Sequence, residues 1–172
     1  MGVDMSSFGN FHVAKGELRS PMLSATRTEE DFTANLTSGV KQAPNGRYRF
    51  IVDNLNTHRS GSCVLYVAKM CGINESTLGT KGRSGILKNM EMRQAFLSNP
   101  VRRIHFYFLR RHSSWLNQIE IWFGILRRKV TRYGSFKSVE NLNEKINQFI
   151  DYYNDALAHP FQLIYRGKTL CV

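Results

Sequence analysis

Cysteine, proline and long hydrophobic runs are all scarce in this sequence, and each shortage excludes a class of protein. The 172 residues include three cysteines and four prolines. An odd number of cysteines without framework spacing excludes a disulfide-stapled secreted domain and indicates a reducing compartment. No stretch approaches the roughly 18 consecutive apolar residues of a membrane helix, and Asp4 stands where a secretory signal would be basic and then apolar. The expectation is a soluble, cytoplasmic protein.

Acidic residues are also scarce relative to basic ones. Lys and Arg number 24 against 13 Asp and Glu, a formal net charge of +11. Residues 53–112 hold 10 basic and 3 acidic residues, a net +7, against +1 for residues 1–52 and +3 for 113–172. A basic region inside a folded chain indicates a polyanionic partner, most often nucleic acid. A basic surface without such a partner stays open on charge alone.

The hydrophobic pattern predicts an α/β fold, with residues 1–172 as one domain. At 42% hydrophobic and 22% charged residues, the chain can bury a core. Periodicity predicts strands at residues 10–14, 18–23, 48–52 and 101–109. It predicts helices at residues 28–43 and 62–71 and two more within residues 113–159. Residues 74–100 are less regular and are interpreted as a basic insertion. The order predicts a mixed sheet flanked by helices.

Some helix features are specified by individual residues. Thr28, with Asp31 three positions on, predicts an N-cap, and Ser138 predicts another. An apolar stripe predicts the first of the two C-terminal helices, formed by Leu116, Ile119, Phe123, Leu126 and Val130. Trp115 and Trp122 are expected at the edge of the core, with base stacking as the alternative.

Two acids stand where α/β sheets bind ligands. Asp53 directly follows the predicted strand 48–52, and Glu120 lies early in a predicted helix, one position past its apolar stripe. Groups at the carboxyl ends of strands line the ligand crevice of such sheets. Carboxylates from these two places could hold hard divalent cations, and two such cations could clamp a phosphodiester displacement. An ordinary strand-end turn and an ordinary helix acid are the alternative on this pattern alone.

Several blocks, in order along the chain, resemble the DDE transposases of the mariner superfamily, and most closely its bacterial insertion-sequence branch. The first block is an apolar strand, Asp-Asn and then His, at Ile51-Val52-Asp53-Asn54-Leu55-Asn56-Thr57-His58. The second has Leu-Asn, two further residues, Glu and a following Trp, within residues 112–123. Residues 134–140, 152–154 and 160–168 resemble the family's C-terminal stretch. The similarity runs from about Gly9 to the end.

This resemblance implies an RNase H-like fold and transposition, in which DNA strands are cleaved and joined with Mg²⁺ (or Mn²⁺) as cofactor. By position, Asp53 matches the second acid of the family's catalytic triad and Glu120 the third, and both are expected to bind metal. The two lie 120 − 53 = 67 positions apart, with the extra length in residues 74–100. Asn54, His58 and Asn117 are expected to position these acids.

The expected partner is double-stranded DNA, both transposon ends and target, in a nucleoid-associated bacterial protein that forms homo-oligomers when active and has no membrane partner. Basic residues are expected to contact the DNA backbone: Lys81, Arg83, Lys88, Arg110, Arg111, Arg127, Arg128 and Lys129. Arg102 and Arg103 belong to the same dense basic region and are favoured for the same contacts. A solvated basic face is the alternative reading for Arg127, Arg128 and Lys129.

One part of the family pattern is missing. In the family, the first triad acid lies on a strand that precedes the strand at residues 10–14, but the only upstream acid here is Asp4. We therefore expect an N-terminally truncated catalytic domain that lacks the first strand of its sheet. An inactive remnant that binds only DNA or a full-length partner is the alternative. A nuclease acting on RNA–DNA hybrids is a third possibility with the same fold.

Overall fold

The strands of this chain form two separate pairs. A computed structural model describes residues 6–24, 28–110 and 117–162. The strands are β1 (Ser6–His12), β2 (Glu17–Ser24), β3 (Tyr48–Val52) and β4 (Ile104–Phe108). β1 and β2 form an antiparallel hairpin, whereas β3 and β4 are parallel. Within the described ranges no ladder joins the hairpin to the parallel pair, so the mixed sheet expected from the sequence is replaced there by two small sheets.

Five helices accompany the strands in the described residues. They are α1 (Glu29–Lys41), α2 (Gly61–Met70), α3 (Met90–Leu97), α4 (Gln118–Leu126) and α5 (Val139–Tyr152). Single 3₁₀ or π turns lie at Asn56–Arg59, Glu75–Thr77, Arg127–Thr131 and Tyr153–Leu157. The helix α3, capped by Asn89, was not predicted within the less regular residues 74–100. None of the described helices has the length and hydrophobicity to cross a bilayer.

The first core lies on one face of the parallel pair, against α1, α2 and α3. Val52, Ile104 and Phe106 enter it from the strands and are at most 7% exposed. They meet fully buried residues of α2, namely Cys63, Val64, Val67 and Ala68. On the opposite face of the pair Ile51 is 45% exposed and Tyr107 50% exposed, whereas His105 is buried. Because β3 and β4 are parallel and share this core, both strands end at the same edge of the pair.

Helix α1 confirms the predicted N-cap. The Thr28 hydroxyl accepts the Asp31 N–H at 3.1 Å, and the Asp31 carboxylate accepts the Thr28 N–H at 3.0 Å. This reciprocal pair satisfies donors that the first helical turn cannot. Phe32, Leu36 and Val40 then recur every four residues and are all buried. Because α1 packs against both the β1–β2 hairpin and α2, it connects the two halves of the molecule.

The second core joins the hairpin to the C-terminal helices. Leu18 packs there with Trp122, Leu126, Ile146, Ile150 and Tyr153. Trp122 is fully buried, with its ring edge-on to Tyr153 at 5.8 Å, so its expected place at the edge of the core was wrong. The Asn154 side chain accepts the Leu18 N–H at 2.9 Å and donates to the Leu18 carbonyl at 2.8 Å. It thus bonds to β2 as a neighbouring strand would. Trp115 lies outside the described residues.

A loop of residues 78–88, here called the glycine loop, leaves the first core and returns to it. Both ends are buried, with Leu78 0% and Leu87 8% exposed, and the Leu87 N–H donates to the Leu78 carbonyl at 3.0 Å. Gly79 has φ +82°, and a Cβ there would lie 2.3 Å from the Ser84 carbonyl oxygen. Only glycine fits both this backbone conformation and this close approach. The loop is therefore held in one shape by its own backbone and by its two leucines.

Candidate metal and nucleic-acid site

Asp53 is the first residue after β3, and its side chain is fixed in place. One carboxylate oxygen accepts from His58 Nδ1 at 2.8 Å and from the Leu55 N–H at 3.1 Å. The His58 hydrogen bond, followed by that of Leu55, lowers the pKa of Asp53 below its usual value, although partial burial opposes the shift. The His58 ring also packs on Phe32, with centroids 4.2 Å apart. Asp53 therefore presents an ionised, oriented carboxylate that is 27% exposed.

Residues 53–60 form the turn that follows β3, here called the Asp53 turn. Asn54 and Arg59 connect it to its surroundings. Asn54 Nδ2 donates to the carbonyl of Leu109, which directly follows β4. Arg59 Nη2 donates to the Asn54 carbonyl at 2.8 Å, and Nη1 donates to Gln94 Oε1 on α3 at 3.1 Å. The two parallel strands are thus clasped at their carboxyl ends, where α/β sheets bind ligands. Asn54 stabilises the backbone on which Asp53 stands.

Glu120 lies in the first turn of α4, where its side chain is exposed. Asn117 precedes the helix and accepts the Glu120 N–H with its main-chain carbonyl at 2.9 Å, while its own side chain makes no capping bond. α4 packs against β1 and its neighbouring turn, whereas Asp53 belongs to the parallel pair. The two predicted acids thus stand on different elements, Asp53 directly after β3 of the parallel pair and Glu120 on a helix that packs with the hairpin.

The donor atoms suit a hard divalent cation only in part. Carboxylate oxygens, as on Asp53 and Glu120, are the ligands that Mg²⁺ and Mn²⁺ prefer. Within residues 6–24, 28–110 and 117–162, however, no group of three or more His, Cys, Asp or Glu is placed to hold a metal ion. The residues described here supply the right ligand chemistry without assembling a ligand cluster.

The basic residues of the glycine loop are exposed. Lys81 Nζ pairs with Glu29 Oε1 at 3.0 Å, which ties the loop to α1. Arg83 and Lys88 are exposed and form no ion pair within the described part of the chain. A cavity of about 340 Å³ separates this loop from the start of α2 and is lined by Asn56, Thr57, Gly61, Lys81 and Arg93 among others. The loop thus presents two exposed cations, Arg83 and Lys88, while its third cation, Lys81, lines the groove together with its partner Glu29.

A second exposed basic group lies on the turn that follows α4. Arg127, Arg128 and Lys129 are all exposed, and Arg132 stacks on Tyr133 at 5.1 Å. Arg110, after β4, is exposed as well, whereas Arg111 lies outside the described residues. A larger cavity of about 520 Å³ lies beside Ile121 and Phe161, and no acidic residue lines it. Arg110, Arg127, Arg128 and Lys129 are therefore accessible to a polyanion.

Arg102 and Arg103 have structural roles, which corrects their assignment to the DNA surface. The Arg102 guanidinium lies 3.9 Å from the centre of the Phe96 ring and donates to the Phe96 carbonyl at 2.5 Å. Burial lowers the pKa of Arg102. Arg103 donates to the carbonyls of Pro44, Gly46 and Met70. Both side chains are occupied by main-chain acceptors, which composition could not reveal.

Arg93, on α3, is a site residue that the sequence analysis missed. Its Nε donates to the Arg59 carbonyl at 2.7 Å and its Nη1 to the Leu87 carbonyl at 3.0 Å. One guanidinium thereby joins the turn after Asp53 to the end of the glycine loop. No local signal marks Arg93, because both acceptors are main-chain atoms and α3 itself was not predicted.

The comparisons with known proteins give one match. A family model described as DDE superfamily endonuclease matches residues 5–143, which include Asp53, Glu120 and the glycine loop. Comparison with curated proteins and comparison with solved structures each gave no match. The matched range covers most of the chain and agrees in kind with the resemblance carried by the two acid blocks.

Proposed function

The chain belongs to the DDE superfamily endonucleases, and we propose that it cleaves and joins DNA strands as a transposase of the bacterial insertion-sequence branch of the mariner superfamily. The observation that carries the proposal is Asp53. It directly follows a parallel strand whose last residue, Val52, is buried, stays ionised through His58 and is partly open to solvent. Such a carboxylate can take part in phosphoryl transfer, because it can bind a divalent ion without first losing a proton.

In this proposal Asp53 and Glu120 hold Mg²⁺ or Mn²⁺. When bound, such ions activate the attacking oxygen and stabilise the leaving oxygen of a phosphodiester displacement. His58 keeps the Asp53 carboxylate charged and oriented, and Asn54 fixes the backbone beneath it. Asn117 sets the first turn of the helix that carries Glu120. The RNase H-like fold and the 1–172 single-domain boundary are part of the same proposal.

The proposed substrate is double-stranded DNA at transposon ends and target sites. The exposed cations of the glycine loop and of the turn after α4 would neutralise backbone phosphates. Their binding is then strongly salt-dependent and largely indifferent to sequence. Action on both transposon ends calls for at least two copies of the chain, in the cytoplasm and close to the nucleoid.

The direct test is to substitute each acid in turn and to measure DNA cleavage with Mg²⁺ or Mn²⁺. The reference is the wild-type protein under conditions in which it cleaves. Asp53→Asn and Glu120→Gln should each reduce divalent-dependent cleavage by at least about a hundredfold and leave the fold intact. Asp151→Asn is the matched control, since Asp151 is an exposed helix acid far along α5. Wild-type activity in Asp53→Asn or Glu120→Gln would contradict the assignment.

A second function is favoured by the absence of a three-ligand cluster in the described residues. Two carboxylates hold two divalent ions poorly, so the chain could bind DNA, or a full-length partner, without cutting. Salt-sensitive DNA binding by the wild-type chain, with no cleavage in Mg²⁺ or Mn²⁺, would favour this function. Divalent-dependent cleavage by the same chain would exclude it.

A further inference from the structure

We propose that Arg93 is a positioning residue that fastens the glycine loop to the Asp53 turn, so that DNA held by the loop is kept in register with Asp53. This inference rests on the proposed function, because it concerns how that DNA is placed. It concerns a residue on α3 that carries no recognisable motif. Three observations lead to it.

The first observation is that the glycine loop is closely constrained. Thr80 and Ser84 bridge across it, with the Thr80 N–H donating to the Ser84 carbonyl at 3.1 Å. Gly85, at φ +64°, leaves a hypothetical Cβ only 2.7 Å from the Leu78 carbonyl oxygen. A loop this tightly packed transmits a displacement at its tip to its base, since its interior has little space to absorb one.

The second observation is a series of hydrogen bonds from the base of the loop to Asn54. Leu87 accepts from Arg93 at 3.0 Å, and Arg93 also donates to the Arg59 carbonyl at 2.7 Å. Arg59 in turn donates to the carbonyl of Asn54, the residue next to Asp53, at 2.8 Å. Each link ends on a main-chain carbonyl, so the chain connects backbone to backbone.

The third observation is that the glycine loop carries exposed cations. Arg83 and Lys88 project from the glycine loop and are unpaired within the described ranges, while Lys81 is tied to Glu29. Phosphates bound at Arg83 and Lys88 would therefore be held by a loop whose base is clamped through Arg93. A guanidinium is required at Arg93 because its planar fork reaches two acceptors at once, whereas a lysine ammonium acts as a point charge.

The experiment compares the full chain with Arg93→Lys, which keeps the charge but breaks the fork. Arg47→Lys is the matched control, since Arg47 is exposed before β3 at the end of that strand remote from Asp53. Gln94→Ala, which removes only the Arg59–Gln94 bond, is the milder variant if Arg93→Lys does not fold. Hydrogen–deuterium exchange is measured with and without a DNA duplex, over residues 54–60 and 79–88.

In the wild type and in Arg47→Lys, DNA should slow exchange in both segments. In Arg93→Lys it should slow exchange in residues 79–88 alone, because the link to residues 54–60 is broken. At saturating DNA the single-turnover cleavage rate of Arg93→Lys should fall about ten- to hundredfold, while its Kd for DNA stays within about twofold. Gln94→Ala should shift both readouts in the same direction by less.

Protection of both segments by DNA in Arg93→Lys, or an unchanged rate at saturating DNA, would overturn the inference. So would an equal loss in Arg47→Lys, because the effect would then not depend on the fork. If the wild type binds DNA but does not cleave it, the proposed function fails, and the exchange data alone decide whether the two segments respond together. Absence of DNA protection over residues 79–88 in the wild type also overturns the inference.

Discussion

Alanine substitution at two glycines of the same loop should separate steric clash from backbone strain. Gly79 and Gly82 have nearly equal dihedrals, φ +82° and φ +77°. A Cβ at Gly79 would lie 2.3 Å from the Ser84 carbonyl oxygen, whereas a Cβ at Gly82 meets nothing within 4 Å. Because both positions carry the same conformational demand, Gly82→Ala is an internal control for Gly79→Ala.

The magnitudes follow from these two geometries. Placing alanine in the left-handed region costs about 1–2 kcal/mol at either position. At Gly79 the Ser84 carbonyl must also move, which adds about 1–3 kcal/mol of overpacking and about 1 kcal/mol for its lost bond with Thr80. We therefore expect Gly82→Ala to lower the free energy of unfolding by about 1–2 kcal/mol and Gly79→Ala by about 3–6 kcal/mol.

Local detachment of the glycine loop sets an upper limit on the free energy of unfolding that Gly79→Ala can lose. If the loop peeled away, Leu78 and Leu87 would leave the first core, and each fully buried leucine contributes about 1.5–3 kcal/mol. The assay is equilibrium urea unfolding of both variants and the wild type, followed by circular dichroism. Equal losses at Gly79 and Gly82, within about 0.5 kcal/mol, would refute the role of the close approach to Ser84.

Two further predictions concern the hydrogen bonds between Asn154 and Leu18 and the buried thiol of Cys63. Asn154→Ala should lower the free energy of unfolding by about 2–4 kcal/mol, because it leaves the buried N–H and carbonyl of Leu18 without these hydrogen bonds. Equilibrium urea unfolding measures this loss. Burial raises the pKa of the Cys63 thiol, so less of it is thiolate at pH 8. A Cys71→Ser/Cys171→Ser variant should therefore react with iodoacetamide only as it unfolds, followed by mass spectrometry.

Each of these predictions has a control on the same chain. For Asn154, the control is Asn147→Ala at an exposed position on α5, which should change stability by less than about 0.5 kcal/mol. An equal loss in both variants would show that the Asn154–Leu18 hydrogen bonds are not the cause. For Cys63, the comparison is a Cys63→Ser/Cys171→Ser variant, which retains the half-buried Cys71. Equal labelling rates for the two thiols in the folded state would show that Cys63 is not shielded.

Features set by neighbouring residues were predictable from the sequence. Thr28 and Asp31 form the expected capping box because both partners lie within one helical turn. Asp53 ends its strand as expected, because the apolar run and the turn residues after it are contiguous. The apolar stripe predicted for α4 packs in the second core through Ile119, Phe123 and Leu126 for the same reason. These signals are local, and tertiary contacts did not override them.

Features set by distant partners were not predictable. Arg103 reads as a DNA contact from charge alone, yet its acceptors at Gly46 and Met70 lie 57 and 33 positions away. Trp122 was expected at the core edge, because a single stripe does not reveal that Phe149 and Tyr153 pack against its indole ring. The separation of β1–β2 from β3–β4 depends on strand pairing, which has no local signature.

The sequence by itself determined the order of most elements, the acid at the end of β3 and the basic character of the middle of the chain. Each of these depends on residues a few positions apart, or on composition. Only the tertiary structure decided which arginines are free and which are occupied, and that Arg93 joins the Asp53 turn to the glycine loop. The physical reason is that main-chain carbonyls are identical at every residue. Folding alone selects which of them a guanidinium reaches.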